Sequence, residues 1–450
     1  MNLGRLLALL ALLAPAQLLA DEPKPEAEKP KPAPPPPAPP RPVPDYDGVP
    51  DPPPTAGEVL IWVPRVVFFP AWLVSEFIIR RPLGWLTVTA ERNHWPSEII
   101  SFFTFGNSSM GFVPTFYIDL GFRPTFGVYY FYDDVFGNVD HSFRFHANGT
   151  IDGYSFALTD RWQTDPYGSR LHFSADVSLR PDRVFYGIGP ESLDSDRHRY
   201  GFFTVGGSVG FDWHIIPGIR IDTTVALHSS EFTTPRCCDD PPVSDLPVPP
   251  SGFPNGYTAF TQSIEAVFDS RQPRPASQSG LRLRLAADHS RDLRDSDDWI
   301  RMTGTIGAFW DVARLGRILG LTFTIADIEE LKGQMPFPEL ISFGGNGLAM
   351  PGLRPDRLFG FSAVSASFRY EWPIWVALAG SLQVEVGNVF DQHFKDFDLN
   401  LLRMSYALGF RTTGAPDHNF QVLVGVGTET FRQGTQLTQF RLSIGGTYGF

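Results

Sequence analysis

Few residue constellations in this 450-residue chain have the spacing that chemistry demands. A serine hydrolase needs its nucleophile within hydrogen-bond reach of a base, on the strained elbow written G-x-S-x-G. The stretch Gly106-Asn107-Ser108-Ser109-Met110-Gly111 departs from that spacing. His289 and Ser290 in "ADHSRD" have the right residue types, but a histidine and a serine on a strand rim are ordinarily just solvated. The 10 histidines are scattered without metal-ligand spacing. Cys237 and Cys238 are adjacent, so they can neither staple distant segments nor complete a zinc site. They read as two free or partner-oxidised thiols in preference to a vicinal disulfide. No catalytic residue, metal or cofactor is expected, and a net charge of −12 argues against a nucleic-acid partner.

What, then, do the elements build? Charged residues make up 19% and aromatics 14%, with 39 Phe against 6 Met, while mean hydropathy is slightly negative. No stretch beyond the first twenty residues reaches the ~18 apolar residues of a spanning helix. An alternating barrel reconciles the aromatic load with the modest hydropathy, because apolar residues at period two never build a hydrophobic window. The start "MNLGRLLALLALLAPAQLLADEPKP" reads as a signal peptide over residues 1–20, with no cysteine after it to carry a lipid. Residues 21–57 are a proline-rich linker, expected to be extended and without a core. Residues 58–104 are apolar but broken by Pro64, Pro70 and Pro82. Between the last two prolines, Trp72, Leu73, Glu76, Phe77 and Arg80 outline a short amphipathic helix suited to an interface.

From residue 105 to 450 the chain alternates. "RLHFSADVSL" sets Leu171, Phe173, Ala175, Val177 and Leu179 against His172, Ser174, Asp176 and Ser178, and "LRLRLAAD" alternates Leu281, Leu283 and Leu285 with Arg282 and Arg284. Sixteen such segments are expected, near 111–119, 125–133, 140–150, 153–162, 169–179, 200–212, 218–229, 258–268, 281–289, 299–310, 319–328, 360–373, 378–389, 402–412, 419–429 and 439–450. Connections after even-numbered segments are mostly tight, and those after odd-numbered ones include the long ones. The stretch 269–280 is the exception. An even strand count with short turns on one rim and long loops on the other is the pattern of outer-membrane barrels, with apolar residues in lipid and polar ones in the lumen.

Several stretches, in order, resemble the bacterial surface antigen family, the BamA/TamA-type sixteen-stranded outer-membrane barrels. They are "FYGIGP" (185–190), "FDSRQPRPASQSG" (268–280), "FGGNGLAMPGLRPDRLFG" (343–360), "FRYEWPI" (368–374), "VEVGNVFD" (384–391) and the terminal strand. The resemblance covers residues 105–450. It implies an all-β, sixteen-stranded antiparallel transmembrane barrel in the bacterial outer membrane. It also implies a non-enzymatic role in protein insertion or polypeptide transport, whose partners are outer-membrane lipid, the barrel assembly machinery during biogenesis, and client polypeptides. The alternative is a passive pore or a structural, adhesive barrel that has lost the assembly role. The family's periplasmic POTRA modules have no counterpart among the residues before 105.

The resemblance assigns 343–360 to the sixth long loop, whose motif is usually V/L-R-G-F/Y. This chain reads Met350-Pro351-Gly352-Leu353, with proline where the arginine belongs, followed by Arg354 and Arg357. In relatives that arginine reaches acidic residues on the following strands. Here the matching positions are Arg369 and Glu385, eight residues either side of Ala377, so a turn centred there would set them opposite each other on the inward face. The expected lumen pair is therefore Arg369–Glu385, with Arg354 and Arg357 as rivals for the carboxylate. At the closure, Pro114 of the first strand lacks an N–H, and the last strand carries Gly445 and Gly446. Both weaken the ladder at a seam, although Pro114 can equally mark where the regular part of strand one begins. Tyr448 and Phe450 resemble the terminal signal read by the assembly machinery. Deleting Phe450 is expected to lower the heat-modifiable species in outer-membrane fractions while leaving secretion intact. Normal assembly of the truncated chain would refute that role.

Overall fold

The computed structural model describes residues 81–271, 279–312, 316–345, 347–375, 378–412 and 419–447, together with Phe69, Leu73, Glu76 and Phe77. The expected signal peptide, the proline-rich linker and the terminal Tyr448 and Phe450 lie outside the described residues. Two compact units meet in sequence between Ile100 and Ser101.

The first unit holds helix α1 (Arg81–Arg92) and most of α2 (Trp95–Phe103). The sequence reading placed its helix before Pro82. Of the residues it named, Leu73, Glu76 and Phe77 are helical, whereas Trp72 and Arg80 fall outside the described residues. The continuous helix starts at Arg81 and takes Pro82 into its first turn, where the missing N–H would have had no partner and the fixed φ suits a helix. At its other end Arg92 lies in the last turn, and His94 adopts φ 54°, the left-handed conformation that stops a helix. Among the described residues no helix is long and apolar enough to cross a membrane.

The second unit is a closed antiparallel barrel. Its strands are β1 (Met110–Asp119), β2 (Thr125–Asp133), β3 (His141–Gly149), β4 (Tyr154–Gln163), β5 (Arg170–Phe185), β6 (His198–Ile216), β7 (Ile219–Thr233) and β8 (Tyr257–Asp269). The circuit continues through β9 (Gly280–Asp292), β10 (Asp298–Asp311), β11 (Ile318–Lys332), β12 (Ser362–Trp375), β13 (Leu378–Phe390), β14 (Arg403–Thr412), β15 (Asn419–Thr428) and β16 (Leu437–Thr447). Each strand pairs with the next, and β16 returns to β1. All sixteen expected segments are strands. β5 runs well past its expected end, where a bulge between Arg180 and Arg183 absorbs Pro181 and lets pairing resume toward Phe185.

The outer face is apolar, with Leu281, Leu285, Ile306 and Leu321 each about half exposed, as residues in contact with lipid must be. Inward residues pair through hydroxyls, as in Ser174–Ser208 at 2.7 Å and Thr261–Ser290 at 2.9 Å. One expectation needs correcting. The interior is not polar throughout, because toward the long-loop rim Phe185, Tyr200, Tyr257 and Trp299 of the wall join Phe337, Phe343, Met350, Leu353 and Phe359 in a buried cluster. The latter five belong to the connection between β11 and β12, which folds into the barrel and replaces water with protein. Wall residues at that level therefore face a core.

Candidate functional site

The β11–β12 connection, residues 333–361, is the loop singled out by the motif. It contains a 3₁₀ turn, Phe337–Glu339, and a small hairpin in which Ile341–Phe343 pairs with Leu358–Gly360. Between the two short strands the chain makes a tight internal turn. Gly344 N donates to Ala349 O at 3.0 Å, Gly345 N to Leu353 O at 3.0 Å, and Leu353 N to Met350 O at 3.0 Å. Gly344 and Gly345 have φ 115° and 64°, conformations glycine adopts without strain.

The tip is anchored on four successive wall strands. Met350 N donates to Glu385 Oε2 of β13 at 3.0 Å, and Gly352 N donates to Ser405 Oγ of β14 at 2.9 Å. On β15, a Cβ on Gly425 would sit 2.5 Å from Gly352 Cα, and one on Gly427 would sit 2.0 Å from a Leu353 methyl. The wall is thinned where the loop lies against it. From β16, Arg441 Nη1 donates to Pro351 O at 2.8 Å, and Gln439 Oε1 accepts from Arg354 N at 3.1 Å. Met350, Leu353 and Arg357 are buried.

Arg357 and Arg354 do not compete for Glu385. Arg357 bonds Glu429 at 3.1 Å and Ser192 O at 2.9 Å, with its guanidinium 4.8 Å from the Tyr186 ring, and Arg403 bonds the same carboxylate. Burial pushes Glu429 upward, but the two arginines outweigh it and hold the carboxyl below its usual range. The "FYGIGP" stretch joins here as well, since Gly189 N donates to Phe359 O at 2.8 Å.

The expected pair needs a correction. Arg369 lies opposite Gln383, and Glu385 lies opposite Ser367. Trp375 pairs with Leu378 and the register shifts between Pro373 and Trp375, so the ladder lies two residues from the one a centre at 377 would give. Gln383 bridges the two groups instead. Its Oε1 accepts from Arg369 Nη2 at 2.7 Å, and its Nε2 donates to Glu385 Oε2 at 2.9 Å. Arg369 also lies 3.4 Å from Glu371.

At the closure, β16 meets β1 through three residue pairs, Ser443–Asp119, Ile444–Ile118 and Gly445–Tyr117. Gly446 and Thr447 remain paired with β15. The opposite edge of β1 is laddered to β2 through Pro114–Val128. A short strand, Thr104–Phe105, folds back on Gly111 and Met110, so Pro114 lies between that flap and the β16 contact. Gly445 has φ 141°, and a Cβ there would sit 2.0 Å from Phe116 O. Sequence reasoning missed the side-chain clasp over this junction. Arg441 is fully buried and bonds Asp119 Oδ2 at 2.8 Å and the Tyr117 hydroxyl at 2.9 Å, while it also holds the loop carbonyl. One guanidinium thus ties together the last strand, the first strand and the loop.

The other candidates resolve simply. His289 faces Asp298 at 2.7 Å, whereas Ser290 is buried against Thr261, because neighbours on a strand point to opposite faces. Ser108 and Ser109 lie in the turn before β1. Cys237 and Cys238 are joined in a disulfide, contrary to the free-thiol expectation. They line a cavity with Arg199 and Asp240, which bond at 2.8 Å. Among the described residues no three His, Cys, Asp or Glu side chains are grouped to hold a metal.

This geometry is that of a transmembrane β-barrel with a loop docked in its lumen. By sequence the chain matches no known protein family and no curated protein. Its fold is similar to that of BamA from Haemophilus ducreyi lacking POTRA domains 1–3, at a TM-score of 0.55 and 11% identity over 76% of this chain and 70% of that one. CdiB from Acinetobacter baumannii and CdiB from Escherichia coli follow at TM-scores of 0.48 and 0.47, with 10% and 11% identity, covering 76% and 74% of this chain and 60% and 62% of theirs. The sixteen-stranded BamA-type barrel is therefore the fold of this chain.

Two predictions follow from the anchors. Arg441→Met leaves Asp119 buried without its counter-ion, although the Tyr117 hydroxyl still donates to it, and should cost about 3–5 kcal/mol. The double variant with Asp119→Asn should lose less, and urea unfolding from vesicles measures both. In the loop, Glu339 accepts from Tyr257 at 2.8 Å and bonds His228 at 3.0 Å and Arg301 at 3.5 Å. Burial alone would raise its pKa, but His228, Arg301 and Tyr257 bring it to about 2, from 4.5 for a free glutamate. A depressed carboxyl stabilises the fold fully above the unfolded value, and that contribution is lost as pH falls through 4.5 toward 2. Pepsin cleavage within 333–361 should rise over that window in the native protein, and Glu339→Gln should flatten the dependence.

Proposed function

We propose that this chain is an outer-membrane barrel that helps polypeptides insert into or pass the bilayer, acting by local opening of its β1–β16 junction and by perturbing lipid beside it, without covalent chemistry. The observation that carries this reading is the asymmetry of the sheet. Among the described residues, fifteen junctions are laddered along most of their strands, and the sixteenth rests on three residue pairs near a proline and a left-handed glycine. Transient parting there exposes backbone N–H and C=O groups that an incoming strand can satisfy by edge pairing. The docked loop weighs against a passive open pore, because its tip lies across the lumen on β13 to β16. Lipid and client strands are the working partners, and the barrel assembly machinery would act on this chain during its own biogenesis.

A seam lock provides the test. Ile118 and Ile444 face each other across the junction. Opposed antiparallel residues are spaced for a disulfide. In a Cys237→Ser/Cys238→Ser background, Ile118→Cys with Ile444→Cys should form one on oxidation. Reconstituted protein should speed the folding of a small β-barrel into liposomes, oxidation should abolish the gain, and reduction should restore it. No acceleration, or acceleration that ignores the lock, would favour a passive pore or an adhesive barrel.

A further inference from the structure

Below the loop tip the barrel encloses a second, very different space. It has a volume of ≈ 720 Å³, and its roof is the loop backbone at Gly345, Gly347 and Pro351. Its walls carry Arg271, Arg282, Arg284, Arg369 and Arg411 against Glu371 and Glu385, a surplus of three positive charges inside a chain whose net charge is −12.

Among the described residues the arginines are short of partners. Asp269 takes Arg271 at 2.7 Å and is the carboxylate nearest Arg282, which it meets only at 4.0 Å. Glu265 serves Arg284 at 2.6 Å and also Arg220 at 3.1 Å, and Glu371 serves Arg411 at 2.9 Å and Arg369 at 3.4 Å. Glu385 is spent on the loop, accepting from Met350 N and from Gln383. Each remaining carboxylate is therefore divided between two guanidiniums. Arg282, Arg369 and Arg411 keep about two fifths of their side-chain surface open, so each has N–H groups left to donate.

From this we infer that the cavity between the loop tip and the short-turn rim binds a multiply charged, phosphate-bearing anion. The size is that of a small-molecule site. Guanidinium forks bind phosphate oxygens through paired hydrogen bonds, and wall hydroxyls such as Thr305, Ser367 and Ser381 add neutral donors of the kind phosphate accepts. Low-dielectric walls strengthen the field of the surplus charge. A free organic phosphate and a lipid headgroup share this chemistry. The roof bears on function too, since Glu385 and Pro351 belong both to the cavity lining and to the loop anchor.

Inorganic tripolyphosphate is the probe. With the full-length protein in detergent, calorimetric titration should show saturable binding that weakens with salt. Arg282→Gln and Arg411→Gln should each weaken it about tenfold, the loss of one charge-assisted hydrogen bond. Arg432→Gln, at an exposed ion pair with Asp398 outside the cavity, should leave it unchanged. Heat-modifiable mobility confirms that each variant is folded, and Arg282→Lys, which keeps the charge, gives an intermediate loss should Arg282→Gln fail to assemble. Nanodiscs of anionic phospholipid that compete with the probe, where zwitterionic ones do not, support the site with lipid as the source. Failure to compete supports it with a soluble phosphate. Absence of binding, or binding indifferent to Arg282 and Arg411, overturns the inference, and neither outcome touches the seam-lock result.

Discussion

In lipid every backbone N–H and C=O must find a partner within the protein, so a sheet that crosses the bilayer has to close on itself. All else in this molecule is arranged around how it meets that demand at one junction. Fifteen of its sixteen strand pairings are sequence neighbours joined by a turn or loop, and the last joins the two ends of the barrel with no connection to guide it. Among the described residues that junction is the shortest ladder in the circuit, and side chains reinforce it: Arg441, Asp119 and Tyr117 form a buried polar clasp there. Such a clasp contributes chiefly by its geometry. Its charges repay their desolvation only while all members are in place, which makes the closure two-state in character.

The loop between β11 and β12 is held by the same clasp. Its tip offers backbone N–H groups to wall acceptors and a backbone carbonyl to Arg441, and it lies over glycines because any side chain on the wall would occupy its path. Backbone anchoring tolerates changes in the tip's side chains, and the wall's missing Cβ atoms fix its depth. Above the tip the interior is an aromatic and aliphatic core, and below it is a basin of arginines. One loop thus separates a largely aromatic and aliphatic core from an arginine-lined space.

Much of this was legible in the chain. Alternation at period two located all sixteen strands, because lipid on one side and protein or water on the other impose it residue by residue. The ends of strands were less legible. The fifth segment was expected to end at 179, yet a bulge carries β5 past Pro181, and Pro82 reads as a break, yet it sits in the first turn of a helix. The Arg369–Glu385 register failed by two positions because turn geometry and a bulge after Pro373 lie below what residue spacing can specify. The clasp was missed although its signal was present. Asp119 ends the first strand, Arg441 sits on the polar face of the last, and closure brings those two strands side by side.

The arginine absent from the loop motif can be understood in the same terms. A loop cation reaching wall carboxylates, as the resemblance implied, puts one charge on a mobile element and its partner on a fixed one. Here the polarity is divided differently. Glu385 on the wall accepts from the Met350 N–H, and the cation beside the tip is Arg441 of the wall, which donates to the Pro351 carbonyl. A proline in the arginine's place suits this exchange, since it has no N–H to satisfy and its carbonyl is free to accept. The cation is also better placed for coupling on β16 than on the loop. From the last strand it reaches Asp119 on the first, so the forces that hold the loop down are the forces that hold the barrel shut. Lifting the tip takes the Pro351 carbonyl from Arg441, and parting the strands takes Asp119 and the Tyr117 hydroxyl.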